Sequence, residues 1–232
     1  MHDICIMKPM AIIVAGGSGT RMGSEVPKQF LEVAGAPLLV HSISAFAASV
    51  PEMEIVVVLP AAHLESGSDL VARHLPSHTI FFAEGGETRF HSVQRGLQLV
   101  REPSIVFVHD AVRCLVSPDL ILRCYLQAME KGSAIPAIAV SDSIRQLTTA
   151  GHVPVDRTLL RAIQTPQTFR SDLLIPAFRQ PFDLSFTDEA SVVERYGGQV
   201  ELIEGEVSNI KVTWPVDLVV ATELLKSRIS EI

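Results

Sequence analysis

The residues of this chain best suited to chemistry lie near its start. A short apolar run, Met10 to Ala15, breaks off in Gly16-Gly17-Ser18-Gly19-Thr20-Arg21-Met22-Gly23, and Lys28 follows in Pro27-Lys28-Gln29. Glycines lack the Cβ that would keep backbone N–H groups away from an anion. Two cations beside such a turn supply the charge that a phosphate chain needs, arginine as a planar fork and lysine as a compact point charge. Two familiar phosphate motifs fail here. A P-loop needs G-x-x-x-x-G-K-[ST], and no glycine precedes Lys-Ser or Lys-Thr in this chain. The dinucleotide fingerprint begins at Gly17-Ser18-Gly19 but has Met22 where its third glycine belongs. On its glycines alone the segment reads equally well as a tight strand-to-helix turn; Arg21 and Lys28 favour phosphate.

Composition bounds what else the chain can do. Of 232 residues, 47% are hydrophobic and 19% charged, enough apolar surface for a sizeable core. A net charge of −7 argues against bulk attraction to nucleic acid or an anionic membrane, so phosphate must be met by a local cluster of cations. Cys5, Cys114 and Cys124 are too few and too scattered for a disulfide framework or a zinc site. No apolar stretch nears the roughly 18 residues of a membrane span, and Asp3, Lys8 and Pro9 interrupt any signal-peptide core. The chain reads as soluble and cytoplasmic.

Short β-branched runs alternate with helical periods. Residues 10–15, 54–59, 79–83, 104–110 and 133–140 read as strands. Leu38–Ala48, His63–His74, Thr88–Val100 and Pro118–Lys131 read as helices, the last with Ser117 as N-cap and Pro118 in its first turn. This alternation predicts βαβ units in a three-layer α/β sandwich with a mostly parallel central sheet. Residues 143–157 form two alternating runs around Thr149-Ala150-Gly151, a hairpin with little to bury, so an arm over about 141–160 should project from a single domain. Residues 199–205 and 209–213 read as late strands, and Pro215 opens a terminal helix through Arg228. His74 and His78 are four apart, but Pro76 breaks the helix that would align them on a metal.

Five segments together carry a resemblance: the glycine turn with Pro27-Lys28-Gln29, then residues 85–93 (GGETRFHSV), 108–113 (VHDAVR), 186–191 (FTDEAS) and 209–218 (NIKVTWPVDL). In order and spacing they resemble the 2-C-methyl-D-erythritol 4-phosphate cytidylyltransferase family, of the non-mevalonate isoprenoid pathway, within the sugar nucleotidyltransferases. The resemblance implies a Rossmann-like fold with a protruding β-arm, a homodimer built through that arm, CTP and a polyol phosphate as reactants, and Mg²⁺ as cofactor. It also implies roles. Arg21, Lys28, Arg157 and Lys211 would be the catalytic cations. Ala15, Gly16, Gly17, Gly19, Gly85, Gly86, Glu87, Ser92 and Asp110 would bind the nucleotide. Asp110, Arg113, Ser143, Arg157, Thr187 and Lys211 would meet the acceptor, and Asp110 would assist the metal or accept from hydroxyls.

The chain departs from the family pattern at Val112 and Cys114, around Arg113, and at Ser143 in the arm. Thr187 also suits a helix N-cap, and Cys114 beside Arg113 lacks a partner base. An attacking phosphate monoester is anionic near neutral pH, its second pKa being about 6, so the reaction needs no general base. Three other readings stand beside this one: a ribitol-5-phosphate cytidylyltransferase, a non-catalytic nucleotide-binding module, and an NAD-dependent dehydrogenase, the last disfavoured by the broken fingerprint.

Overall fold

Side chains that alternate along a strand face opposite sides of a sheet, and in this chain both sides are apolar. The computed structural model describes residues 7–17, 26–101 and 103–230. In chain order the first elements are β1 (Lys8–Val14), the short pair β2 (Glu32–Val33) and β3 (Ala36–Pro37), and α1 (Leu38–Ala47). There follow β4 (Glu54–Leu59), α2 (Leu64–His74), β5 (Ile80–Glu84), α3 (Arg89–Leu97), β6 (Ser104–Asp110), α4 (Pro118–Lys131) and β7 (Ser133–Ala139). The second half contains β8 (Ile144–Thr148), β9 (Gly151–Val155), β10 (Arg161–Ile163), β11 (Gln167–Arg170), α5 (Ser171–Ala177), α6 (Glu189–Arg195), β12 (Leu202–Glu204) and α7 (Pro215–Ser230).

The sheet runs β5-β4-β1-β6-β11-β7, with β10 and β12 also paired to β7. β5, β4, β1 and β6 are mutually parallel; β11 is antiparallel to both β6 and β7. Ala11, Ile13, Val57, Ile105 and Phe107 pack against α1 and α4 on one face. Met10, Ile12, Val56, Val58, Val106 and Val108 pack against α3, α5 and α6 on the other. Hence an α/β sandwich of three layers, as the alternation predicts. α7 closes a third cluster, where Val33, Leu38, Cys114, Leu115, Val212 and Ala221 meet.

Capping chemistry sets helix boundaries. Ser117 Oγ accepts from Leu120 N, Pro118 follows, and Gly132 ends α4 at φ +89°, a conformation that costs glycine little. Thr88 caps α3, and Asp188 with Ser191 forms a capping box on α6. The cap of α6 is thus Asp188, and Thr187 is not used for it. β8 and β9 pair only with each other and are exposed along nearly their whole length, so the arm does project.

One expectation needs correcting, and one buried strand went unread. Residues 209–213 are not a strand: Ile210 and Val212 alternate inward because they pack in the third cluster, and the segment joins its surroundings through Val212 N donating to Val112 O. β11 went unread because its buried positions include Gln167 and Thr168, so no apolar run marks it. Gln167 is satisfied by Asp188 Oδ2 and Ala190 N, an arrangement that only the fold reveals.

Phe46, fully buried on α1, stacks edge-on with Phe107 and with the ring of His109. Phe46→Ala should cost about 3–5 kcal/mol, the usual range for emptying such a site. A urea-unfolding loss below about 1 kcal/mol would show that the layer does not depend on it.

Candidate active site

Register brings several strand ends to one edge. Val14 lies opposite Val58 on one side and Asp110 on the other, and Leu59 lies opposite Glu84. The chain leaves β1, β5 and β6 at this carboxyl edge. β4 and β5 were added on one side of β1 and β6 on the other, and such a switch point opens a crevice in an α/β sheet. A cavity of about 250 Å³ occupies it, lined among others by Gly16, Gly17, Lys28, Gly86, Glu87, Ser92, Asp110 and Lys211. All eight were singled out from the sequence.

Local hydrogen bonds hold the lining in place. Gln29, 1% exposed on the short 3₁₀ turn Lys28–Phe30, donates Nε2 to Ala15 O at 2.8 Å. Lys28, also buried, donates Nζ to Val212 O at 3.1 Å. Ala15 is buried behind the lining and is tied to Val58. Gly85 N donates to Leu59 O, while Ser92 Oγ accepts from Gly86 N and donates to Thr88 O. Ser92 therefore shapes the turn it faces. A side chain at Gly86 would overlap His91, so the first turn of α3 can pack this closely only on glycine.

Asp110 is the electrostatic centre. Its Oδ2 accepts from Lys211 Nζ at 2.8 Å, its Oδ1 accepts from Arg89 Nε and Nη2, both at 3.2 Å, and Arg113 Nε stands 4.0 Å from Oδ2. Burial opposes ionisation here, but Arg89, Lys211 and Arg113 outweigh it and hold the carboxyl well below the usual range. Arg89 extends to Glu189 as well, donating Nη1 to Oε1. Glu189 is pushed up by burial, against the pull of Arg89. Arg89 is the cavity-lining cation that the sequence reading passed over. It lay within the 85–93 segment, but nothing in its spacing separated it from an ordinary helix-start residue.

A hydrogen-bonded chain behind Asp110 fixes its backbone. Asp110 N donates to Thr165 Oγ1, Thr165 shares a hydrogen bond with His109 Nδ1, and His109 Nε2 faces Arg113 O at 3.3 Å. Arg113 O can only accept, so the neutral ring carries its proton on Nε2, and Nδ1 accepts from the Thr165 hydroxyl. Arg113 lies outside the cavity lining and gives Nη1 to Asn209 O at 2.8 Å. Asn209, fully buried, donates to Thr165 O and Gln164 Oε1, which anchors the loop that carries Lys211.

The two residues that depart from the family pattern around Arg113 are both buried. Val112 lines the cavity and bonds through its carbonyl to Val212 N. Cys114 packs into the third cluster, and burial pushes its thiol up to about 12. Other expected residues lie away from the cavity. Thr187 is exposed and borders a small recess together with Arg89 and Glu189. Ser143 and Arg157 are exposed on the arm, Arg157 donating Nη1 to Ser141 O. Gly19 and Arg21 lie outside the described residues. Among the described residues no three His, Cys, Asp or Glu side chains cluster to hold a metal, and no helix is long and apolar enough to cross a membrane.

A crevice lined by glycines and lysines at the carboxyl edge of a Rossmann-like sheet defines a nucleotide-binding enzyme of the α/β class. More specifically, the chain belongs to the 2-C-methyl-D-erythritol 4-phosphate cytidylyltransferase family, whose model matches residues 9–227. It is 47% identical over 219 residues to the 2-C-methyl-D-erythritol 4-phosphate cytidylyltransferase of Bacteroides thetaiotaomicron, covering 94% of this chain and 100% of that one. Its fold is similar to the crystal structure of 4-diphosphocytidyl-2C-methyl-D-erythritol synthase from Anaerococcus prevotii, with a TM-score of 0.80, 27% identity and coverage of 95% and 96%. It is also similar to the 2-C-methyl-D-erythritol 4-phosphate cytidylyltransferase of Thermus thermophilus, with a TM-score of 0.72, 31% identity and coverage of 93% and 98%.

Full burial lowers the pKa of His109 from 6.5 to about 3. The unfolded chain therefore takes up a proton below pH 6.5 that the folded protein refuses until about pH 3, so stability falls as pH drops through that window. Between pH 6.5 and 5 this should remove about 2 kcal/mol, at about 1.4 kcal/mol per pH unit. His109→Gln should lose correspondingly less over the same interval in denaturant titrations. An equal loss in both proteins would rule out His109 as the source.

Proposed function

We propose that this chain transfers the cytidylyl group of CTP to 2-C-methyl-D-erythritol 4-phosphate, giving the CDP-linked product and pyrophosphate. The observation that carries the reading is one cavity shared by Gly16, Gly17, Lys28, Asp110 and Lys211 in a chain of this family. An oxygen of the acceptor phosphate attacks the α-phosphorus of CTP, a P–O bond forms, and the bond to pyrophosphate breaks. The acceptor is already anionic, so the obstacle is charge repulsion, and catalysis consists of positioning and electrostatic stabilisation.

Each residue then has a task. The backbone of Ala15, Gly16, Gly17 and Gly19 cradles the triphosphate, while Arg21 and Lys28 stabilise the α-phosphate and the departing pyrophosphate. Lys28 is nearly buried, and a cation shielded from water acts more strongly on developing charge. Gly85, Gly86, Glu87 and Ser92 frame the cytosine, where buried polar groups reject a mismatched base. Asp110 accepts from hydroxyls, Lys211 stands where the two substrates meet, and Arg113 supports the acceptor side. Thr187, Ser143 and Arg157 bind the acceptor phosphate. Mg²⁺ fits as an ion carried mainly by the triphosphate, with Asp110 as the carboxylate at hand, and when bound it supplies charge neutralisation at the phosphates.

The arm delivers Arg157 to a neighbouring subunit in a homodimer. Leu147 and Leu159, on and just beyond the hairpin, are 81% and 82% exposed, which supports a partner chain covering them. We place the enzyme in the cytoplasm as a single nucleotidyltransferase domain. Ribitol 5-phosphate is the competing acceptor.

Lys28→Ala and Lys211→Ala should each depress turnover by about 10² or more in a pyrophosphate-release assay, while remaining folded. Near-normal turnover would remove the role given to that lysine, and equal or greater turnover with ribitol 5-phosphate would change the acceptor. Mixing inactive Arg157→Ala with inactive Lys28→Ala should restore activity, because each hybrid dimer rebuilds one complete site. No recovery in hybrids that form would place Arg157 in its own subunit's site.

A further inference from the structure

A single guanidinium joins parts of the site that come from three elements. Arg89 opens α3, Asp110 ends β6 and Glu189 opens α6. Two nitrogens of Arg89 share Oδ1 of Asp110 and a third reaches Oε1 of Glu189. Glu189 is 1% exposed, its Oε2 has no hydrogen-bond partner among the described residues, and it lies two residues beyond Thr187. Among the described residues, Arg89 is the side-chain partner of Glu189.

Two cations thus divide one carboxylate, Arg89 on Oδ1 and Lys211 on Oδ2, and they are not equivalent. The Lys211 side chain is 44% exposed on a flexible stem, whereas Arg89 is braced by a second, buried acid. An incoming phosphate competes for Lys211. Were Lys211 the sole partner, its departure would strand a buried carboxylate without a counterion. With Arg89 in place, Asp110 keeps its counterion and its orientation.

We infer that Arg89 is a positioning residue: held by Glu189, it fixes and neutralises Asp110 so that Lys211 can pass to substrate phosphate, and it ties the Thr187 turn to the strand that carries Asp110. The inference rests on the reading of Asp110 and Lys211 given above. It requires a planar fork, because a lysine ammonium is a point donor that cannot hold two acids in fixed geometry.

The test uses Arg89→Lys, which keeps the charge, and the double variant Arg89→Met/Glu189→Gln, which removes both partners and so avoids stranding Glu189. Thermal unfolding is followed beside kcat and the separate KM values for CTP and acceptor. Arg89→Lys should melt near the wild type yet lose about tenfold or more in kcat, with KM for CTP changing less. The double variant should regain stability over Arg89→Met alone without regaining kcat. Wild-type kcat in Arg89→Lys, or kcat restored along with stability in the double variant, would reduce Arg89 to a strut and overturn the inference. Should the double variant fail to fold, Arg89→Lys decides alone. Full turnover in Asp110→Ala and Lys211→Ala would instead overturn the underlying reading of the site, whatever Arg89→Lys does.

Discussion

The site depends on one carboxylate surrounded by cations. Asp110 is buried at the end of a central strand, where water cannot neutralise it, so Arg89, Lys211 and Arg113 must do so. Each of these comes from a different part of the chain: α3, the loop before α7, and the turn after β6. Their convergence holds these segments against one another. A set of basic groups that would repel each other in isolation is thereby kept together in a molecule of net charge −7.

The layered sheet supplies the rigid frame for that convergence. Because both faces of β1, β4 and β6 are buried, a slip in register would move apolar side chains to the wrong cluster, so the alignment of Val14 with Asp110 is firmly specified. Behind the edge, the polar chain from Asp110 N through Thr165 and His109 to Arg113 O is fully satisfied, and it fixes a turn that apolar packing alone would leave free.

Much of this was legible in the sequence, for identifiable reasons. The parallel strands are continuous β-branched runs, and α4 carries its own start and stop signals in Ser117, Pro118 and Gly132. The glycine turn and Lys28 pointed to one edge of the sheet, and Gly16, Gly17 and Lys28 do line the cavity there. What was not legible depends on contacts between distant segments. β11 is a buried strand with polar side chains, readable only once Gln167 has Asp188 and Ala190 as partners. Residues 209–213 imitate a strand because packing, not pairing, sets their period. Arg89 looks like any arginine at a helix start until β6 and α6 bring it two acids.

The burial of two sulfur atoms has a practical side. Cys114 and Cys124 are each 2% exposed or less, and burial pushes both thiols up to about 12. Nucleophilic reactivity belongs to the thiolate, which neither residue forms at neutral pH. Alkylating agents and mild oxidants thus find no foothold at either position, even though Cys114 adjoins Arg113. Small molecules meant to inactivate this enzyme covalently need a target other than these two sulfurs.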